Sequence, residues 1–329
     1  MNGSAPLMNQ TNPRKKIRSA VKWILWVLLV QFILINISGV LYGYKLTHFY
    51  NASATPAQSS SRNIFLKTWK LFRGPKFQKT VISEFPHFPY ETVRLFTRTK
   101  LSIETWYIPA DSAKGTVILF HGLGGNKSLL LDQAYEFMND DFNVMLVDLR
   151  AHGNSDGNTT TLGVNEAEEV KLAYDYVFAK GQRNIVLYGL SLGAVVITKA
   201  VYDYNLAPSK LILDMPFGNL QNLLEGRARV LGFPGEPFGI LVTFWSGIER
   251  GFNGFEHSTC RYVKKIQCPV LMQYGIMDKL VTREETNCIF QNIASSHKKL
   301  VLYETAGHEP FLNKDPIKWR TETREFLSE

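Results

Sequence analysis

Apolar residues are arranged in two ways along this chain, and the arrangement changes near Thr92. Ahead of that point, 22 residues without formal charge lie between Lys22 and Lys45: WILWVLLVQFILINISGVLYGY. A helix of about 20 such residues crosses the hydrocarbon core of a bilayer. Trp23, Trp26, Tyr42 and Tyr44 stand near its two ends, where amphipathic rings favour the lipid–water interface. Residues 50–63 are rich in Ser, Ala and Asn and read as a linker. Ile64-Phe65-Leu66, Trp69 and Leu71-Phe72, interleaved with lysines, predict a short basic amphipathic helix. Such a helix either rests on lipid headgroups or packs against the remainder of the chain.

Beyond Thr92, strand-like and helix-like stretches alternate. Val93–Lys100 and Ser102–Ile108 read as an antiparallel pair. Short apolar runs without alternation follow, as expected of strands covered on both faces: Thr116–Phe120, Val144–Val147, Asn184–Tyr188, Leu211–Leu213, Val270–Tyr274 and Leu300–Tyr303. Helical patterns separate them, including Leu129–Met138 and Asn165–Ala179. Repeated strand–helix units predict an α/β fold, a mostly parallel central sheet with helices on both faces. Ligands of such sheets bind at the carboxyl ends of the strands. Residues 220–268 interrupt the alternation with an apolar insertion broken by Gly232-Phe-Pro-Gly235. The expected plan is a basic tail (1–22), a transmembrane helix (23–44), a linker and basic juxtamembrane segment (45–83), and one domain (84–329) carrying the insertion.

Charge sharpens the membrane reading. Residues 1–83 carry twelve Lys or Arg and no Asp or Glu, leaving 25 basic and 29 acidic residues for the remainder. The formal +8 therefore belongs to the N-terminal segment and suits an anionic membrane surface. No base-reading motif or aromatic basic groove appears, so a nucleic-acid partner is not expected. A cleaved signal peptide has a shorter apolar core and a nearby cleavage site. Ala52-Ser53-Ala54 lies too far behind, so an uncleaved anchor is expected. Arg14, Lys15, Lys16, Arg18 and Lys22 precede the span, placing the N-terminus in the cytoplasm and the domain outside. Lys67, Lys70, Arg73, Lys76 and Lys79 pull the other way. Cys260, Cys268 and Cys288 suit neither a zinc site nor a disulfide framework and read as small buried apolar residues. A Cys260–Cys268 bridge stays open in an oxidising compartment. No metal cluster, phosphate-binding glycine loop or dinucleotide fingerprint is present, so no cofactor is expected.

Gly189-Leu190-Ser191-Leu192-Gly193 lies between the Asn184–Tyr188 strand and the helix-like Ala194–Ala200. Strand, sharp turn and helix around G-x-S-x-G is the context that exposes a nucleophilic serine. His121-Gly-Leu-Gly-Gly125 follows the Thr116–Phe120 strand. Asp278 follows Val270–Tyr274, and Gly307-His308-Glu309 follows the last strand. On these motifs, residues 90–329 resemble the α/β-hydrolase superfamily, with the strongest likeness to its esterase, monoglyceride-lipase and serine-aminopeptidase-like members. The resemblance implies Ser191 as nucleophile, His308 as base and Asp278 as the carboxylate orienting it, with Asp214 as the alternative acid. It also implies an oxyanion hole from the backbone N–H groups of Leu123 and Leu192. Asp148-Leu-Arg150-Ala-His152-Gly-Asn-Ser155 resembles the family's D-x-R-G-H-G-x-S loop, with Ala151 in place of glycine. Asp148, Arg150 and His121 read as bracing residues, and His257 and His297 as surface or loop residues.

The implied activity is a membrane-anchored serine hydrolase that cleaves carboxylic esters through an acyl-enzyme on Ser191. The apolar insertion and the tether favour small acyl esters or monoacyl lipids as substrates. Thioester cleavage, peptide cleavage and acyl transfer use the same site. A non-catalytic membrane-bound scaffold is the competing reading, because fold alone does not dictate chemistry.

Overall fold

The alternation beyond Thr92 produces an eight-stranded sheet. The computed structural model describes residues 13–50 and 63–329; residues 1–12 of the basic tail and 51–62 of the expected linker lie outside the described residues. A long helix α1 (Pro13–Thr47) leads through strand β1 (Phe49–Tyr50), helix α2 (Ile64–Arg73) and strand β2 (Phe77–Gln78). The chain then forms β3 (Glu91–Phe96), β4 (Ser102–Ile108), β5 (Gly115–Phe120), α3 (Leu131–Asn139), β6 (Phe142–Val147) and α4 (Ala167–Ala179). It continues as β7 (Ile185–Leu190), α5 (Leu192–Tyr204) and β8 (Lys210–Asp214). The insertion holds α6 (Leu220–Leu231), α7 (Phe238–Arg250) and α8 (Thr259–Tyr262). Last come β9 (Val270–Gly275), α9 (Arg283–Asn292), β10 (Lys298–Tyr303), α10 (Phe311–Lys314) and α11 (Pro316–Ser328).

The strand order is β10-β9-β8-β7-β5-β6-β4-β3. From β10 to β6 every neighbour is parallel, whereas β4 runs antiparallel to both β6 and β3. Every residue of β5, β6 and β9 is buried, which explains their unbroken apolar runs. One core layer packs α4, α5, α9 and the insertion on the sheet; the other packs α3 and α11 around Trp106, Phe137, Tyr188 and Trp319. Each such fully buried side chain contributes about 1.5–3 kcal/mol. The strand order reverses at β5, which has β6 on one side and β7 on the other. That reversal opens a crevice at the carboxyl ends of β5 and β7.

Residues Ile17–Thr47 are one helix long and apolar enough to cross a membrane, judged by length and composition. Its two ends differ. Trp23, Trp26, Phe32 and Ile35 are exposed, whereas Tyr42 and Leu46 are buried against the domain. Tyr42 thus departs from the interfacial position expected of it: its ring packs edge-on to Phe238, with centroids 4.8 Å apart. Helix α1 meets α7 through glycines. A Cβ on Gly39 would lie 2.7 Å from the Trp245 ring, and one on Gly43 would lie 3.0 Å from Ser246 Oγ. Trp245 Nε1 donates to Asn36 Oδ1 (3.2 Å), and Arg250 Nε donates to Thr47 Oγ1 (3.0 Å). Small residues let the helices approach closely enough for these polar contacts to form.

The cysteines require a correction. Cys260 pairs with Cys288, Cα atoms 5.9 Å apart, and Cys268 is a half-buried free thiol. The Cys260–Cys268 pair is therefore not formed; α8 faces α9, and this brings together residues 28 apart in sequence.

Candidate active site

Strand β7 ends at Leu190 and α5 begins at Leu192, so Ser191 makes the turn alone. Its backbone sits at φ +53° and ψ −110°, a conformation that non-glycine residues avoid. The flanking glycines make this tightness possible. A Cβ on Gly189 would fall 2.5 Å from the Ala194 nitrogen, and one on Gly193 would fall 2.0 Å from the Phe120 carbonyl oxygen. The Ser191 N–H donates to the Asp214 carbonyl (2.8 Å), tying the turn to the end of β8.

Three expected residues converge here. Ser191 Oγ lies 2.9 Å from His308 Nε2, and His308 Nδ1 lies 2.7 Å from Asp278 Oδ2. The other carboxylate oxygen of Asp278 accepts the backbone N–H groups of Leu280 (2.7 Å) and Val281 (3.0 Å), which fixes the carboxylate plane. The Asp278 side chain is fully buried and that of His308 is 22% exposed, so the imidazole alone meets the cleft. This arrangement suits the Nδ1–H tautomer, whose free Nε2 can take the serine proton.

Leu192 follows Ser191 at the first turn of α5, and Leu123 lies in the loop after β5, whose Gly122 approaches Ser191: a Cβ there would lie 3.6 Å from the Ser191 Cβ. Neither donates to any backbone or side-chain acceptor among the described residues. Unengaged amides, here one at a helix N-terminus and one in a loop, are suited to a developing oxyanion. Two buried histidines hold the Leu123 loop. The His121 ring donates through Nδ1–H to the Gly122 carbonyl (2.8 Å) and accepts the Leu149 N–H at Nε2 (3.1 Å). His152 donates to the Arg150 carbonyl (2.8 Å) and accepts the Gly124 N–H (3.0 Å). Burial lowers His121 to about 4 and His152 to about 3, so both rings are neutral braces.

The 148–155 loop is held by charge. Asp148 accepts from the Lys127 amide (2.7 Å) and Nζ (2.5 Å) and from the Asn154 amide (2.9 Å). Lys127, fully buried, also pairs with Glu104 (3.0 Å) and lies 4.5 Å from the Trp106 ring centroid. Arg150 pairs with Glu169 and Glu168. Ala151 adopts φ +64°, a left-handed conformation that explains why glycine is commoner there.

Asp214, the alternative acid, lies apart from His308. Its carboxyl accepts from Tyr188 Oη (2.7 Å) and Gln273 Nε2 (2.8 Å). Burial raises it to about 7. His257 is a correction: it is buried, with Nε2 3.0 Å from the Leu162 carbonyl and Nδ1 3.0 Å from Tyr262 Oη, and burial lowers it to about 4. Its contact with Leu162, far away in sequence, leaves no local signature. His297 is exposed, as expected.

These histidines have a consequence for pH. Their unfolded value is about 6.5, so above that pH folding involves no proton change at them. Below it the unfolded chain binds protons that the buried rings refuse, and stability falls until pH reaches the folded values of about 3–4. Three acids oppose this: burial raises Asp214 to about 7, Glu169 to about 8 and Glu249 to about 7, and each contributes stability as pH falls through that value. Removing one ring should shift the balance, so between about pH 6.5 and 5 the urea midpoint of His257→Gln should lose less, or gain more, than that of wild type. An equal change in the two proteins would contradict the buried-neutral assignment.

A cavity of about 1080 Å³ opens beside the triad. His308 lines it together with Leu280, α6 residues including Arg227 and Val230, Trp69 of α2 and Tyr42 of α1. The sequence reading did not single out Arg227. Among the described residues, no group of three or more His, Cys, Asp or Glu is placed to hold a metal ion.

Comparison with known proteins bears on the fold. Residues 111–234 match the family model described as serine aminopeptidase, S33. The chain is 25% identical over 229 residues to the uncharacterized protein YqkD of Bacillus subtilis, covering 68% of this chain and 75% of that one. It is 24% identical over 234 residues to an uncharacterized membrane protein of Saccharomyces cerevisiae, covering 69% and 76%. Among solved structures, the Pyrococcus furiosus esterase Pf2001 superposes with a TM-score of 0.65 at 22% identity, covering 76% of this chain and 96% of that one. The esterase from Exiguobacterium antarcticum superposes with a TM-score of 0.56 at 17% identity, covering 73% and 100%. The family match and the fold together support a hydrolase. The chain has the α/β-hydrolase fold, and its residues 111–234 are similar to the S33 serine aminopeptidases.

Proposed function

We propose that this chain is a membrane-anchored serine hydrolase of carboxylic esters. The observation that carries the reading is the continuous hydrogen-bonded chain Ser191–His308–Asp278 beneath a large, partly apolar cavity. In this reading the serine proton moves to His308 Nε2 as Oγ attacks the acyl carbonyl. The Leu123 and Leu192 amides receive the developing oxyanion. His308 then protonates the leaving alcohol, and a water deprotonated by the same nitrogen releases the acid. Asp278 keeps its charge throughout and stabilises the imidazolium.

The anchor reading rests on α1, whose exposed apolar length suits a bilayer. The basic residues ahead of it favour a cytoplasmic N-terminus and an external domain. The Cys260–Cys288 pair agrees with an oxidising compartment. Single-chain acyl esters suit the cavity. Detergent-purified protein is expected to hydrolyse 4-nitrophenyl esters with kcat/KM rising from acetyl to octanoyl. Failure to turn over any ester, thioester or amide would remove the enzymatic reading; a fall with chain length would remove the lipid-like substrate.

A further inference from the structure

The charge of the cavity is one-sided. Lys45, Arg73, Lys76 and Arg227 line it, and among the described residues no Asp or Glu does. Among these cations Arg227 is the most enclosed. Its Nε is buried with no hydrogen-bond partner among the described residues. Burial pulls its guanidinium below the usual arginine range, opposed only by the Tyr42 phenol. Acids are near in sequence but engaged elsewhere. Glu225 accepts from Gln221 Nε2 (2.7 Å), and Arg229, one turn along, pairs with Glu225 (4.0 Å) and Glu285 (3.6 Å). An enclosed guanidinium without a counter-charge is costly unless a bound anion supplies one.

The position of Arg227 is fixed relative to the catalytic groups. Gly226 presses α6 onto the acid loop, since a Cβ there would lie 2.0 Å from the Leu280 carbonyl oxygen. The Arg227 guanidinium lies 5.1 Å from the Phe77 ring centroid. Phe77 in turn sits against Gly124 of the proposed oxyanion loop, 3.7 Å from where a Cβ would be. Val230, Leu66 and Trp69, also lining the cavity, are exposed and apolar, and two of them belong to the helix beside α1. The walls thus present apolar surface, one enclosed fork of donors and the proposed base His308 within a single volume.

We propose that this cavity takes an anionic amphiphile, an acyl ester carrying a carboxylate or phosphate, and that Arg227 determines this specificity by binding the anion. The proposal rests on the hydrolase reading for the word ester, but anion binding is measurable without turnover. A guanidinium is suited to the task because its planar fork matches both oxyanions.

The test uses full-length Ser191→Ala protein in detergent and calorimetric titration with hexyl phosphate, hexanoate, hexanol and inorganic phosphate. Hexyl phosphate or hexanoate should bind at least tenfold more tightly than hexanol. Arg227→Gln should lower that anion-to-alcohol affinity ratio by about 10–100-fold, the loss expected for charge-assisted hydrogen bonds. Arg227→Lys should retain part of the preference, which separates loss of charge from loss of fold. The stronger of the two anions identifies the headgroup. Equal affinity for hexanol and both anions, or a preference that survives Arg227→Gln, would overturn the proposal. So would inorganic phosphate binding as tightly as hexyl phosphate, because an amphiphile site needs the chain. A parallel assay on Ser191-containing protein compares 4-nitrophenyl hexanoate with mono-4-nitrophenyl adipate. Absence of turnover on both, with anion binding intact, counts against the hydrolase reading alone.

Discussion

Ser191→Ala is expected to lower kcat for ester hydrolysis on the order of 10⁴- to 10⁶-fold while the protein stays folded. The size of the effect follows from the arrangement of the groups. Removing Oγ leaves His308 without a proton to accept and the two free amides without an adduct to stabilise. The small remainder reflects binding and oxyanion stabilisation of attack by water. A companion change probes the backbone. At φ +53° and ψ −110°, a non-glycine residue costs about 1–3 kcal/mol. Ser191→Gly should therefore be as inactive as the alanine variant yet melt a few degrees above wild type. Calorimetry and steady-state kinetics on the same preparations check both parts. An inactive variant that melts lower would place no strain at this turn.

Asp278→Asn is the second large effect, about 10⁴-fold in kcat. The Asp278 oxygen facing Leu280 and Val281 accepts two backbone N–H groups. In the variant those donors capture the amide oxygen and turn the NH₂ towards His308 Nδ1. The ring must then carry its proton on Nε2, where it cannot take one from serine. The defect is one of tautomer, so KM should change little. Asp214→Asn is the contrast, because that carboxyl bonds Tyr188 and Gln273 and lies away from His308. It should alter stability and leave kcat within a few-fold. A reversal of the two results would move the catalytic acid to Asp214.

Much of this site could be read from the chain because its parts are local. Gly189, Ser191 and Gly193 are close-packed by one turn, and the same steric demand that selects the glycines spaces them in the sequence. Strands β5, β7 and β9 announce themselves as apolar runs because both faces are covered. Asp278 and His308 follow such runs directly, so topology alone places them at one sheet edge. What escaped depends on contacts between distant segments. Cys260 meets Cys288 only after α8 and α9 pack, and His257 is buried by Leu162 from another loop. The docking of α1 on α7 through Gly39 and Gly43 lies inside a run that reads as lipid-facing throughout. Arg227 did leave a trace: Leu220, Leu223, Leu224 and Leu231 form an apolar stripe on α6, and Arg227 occupies the same face. A charge on an apolar stripe signals that the face does not meet a purely apolar neighbour.

The account rests on Ser191 being the atom that becomes acylated. Wild-type protein incubated with a fluorophosphonate, digested and sequenced by mass spectrometry should carry one adduct, on the peptide containing Ser191. The adduct should be missing from Ser191→Ala and strongly slowed in His308→Ala. Modification of another residue, or equal labelling of the wild-type and Ser191→Ala proteins, would contradict the account.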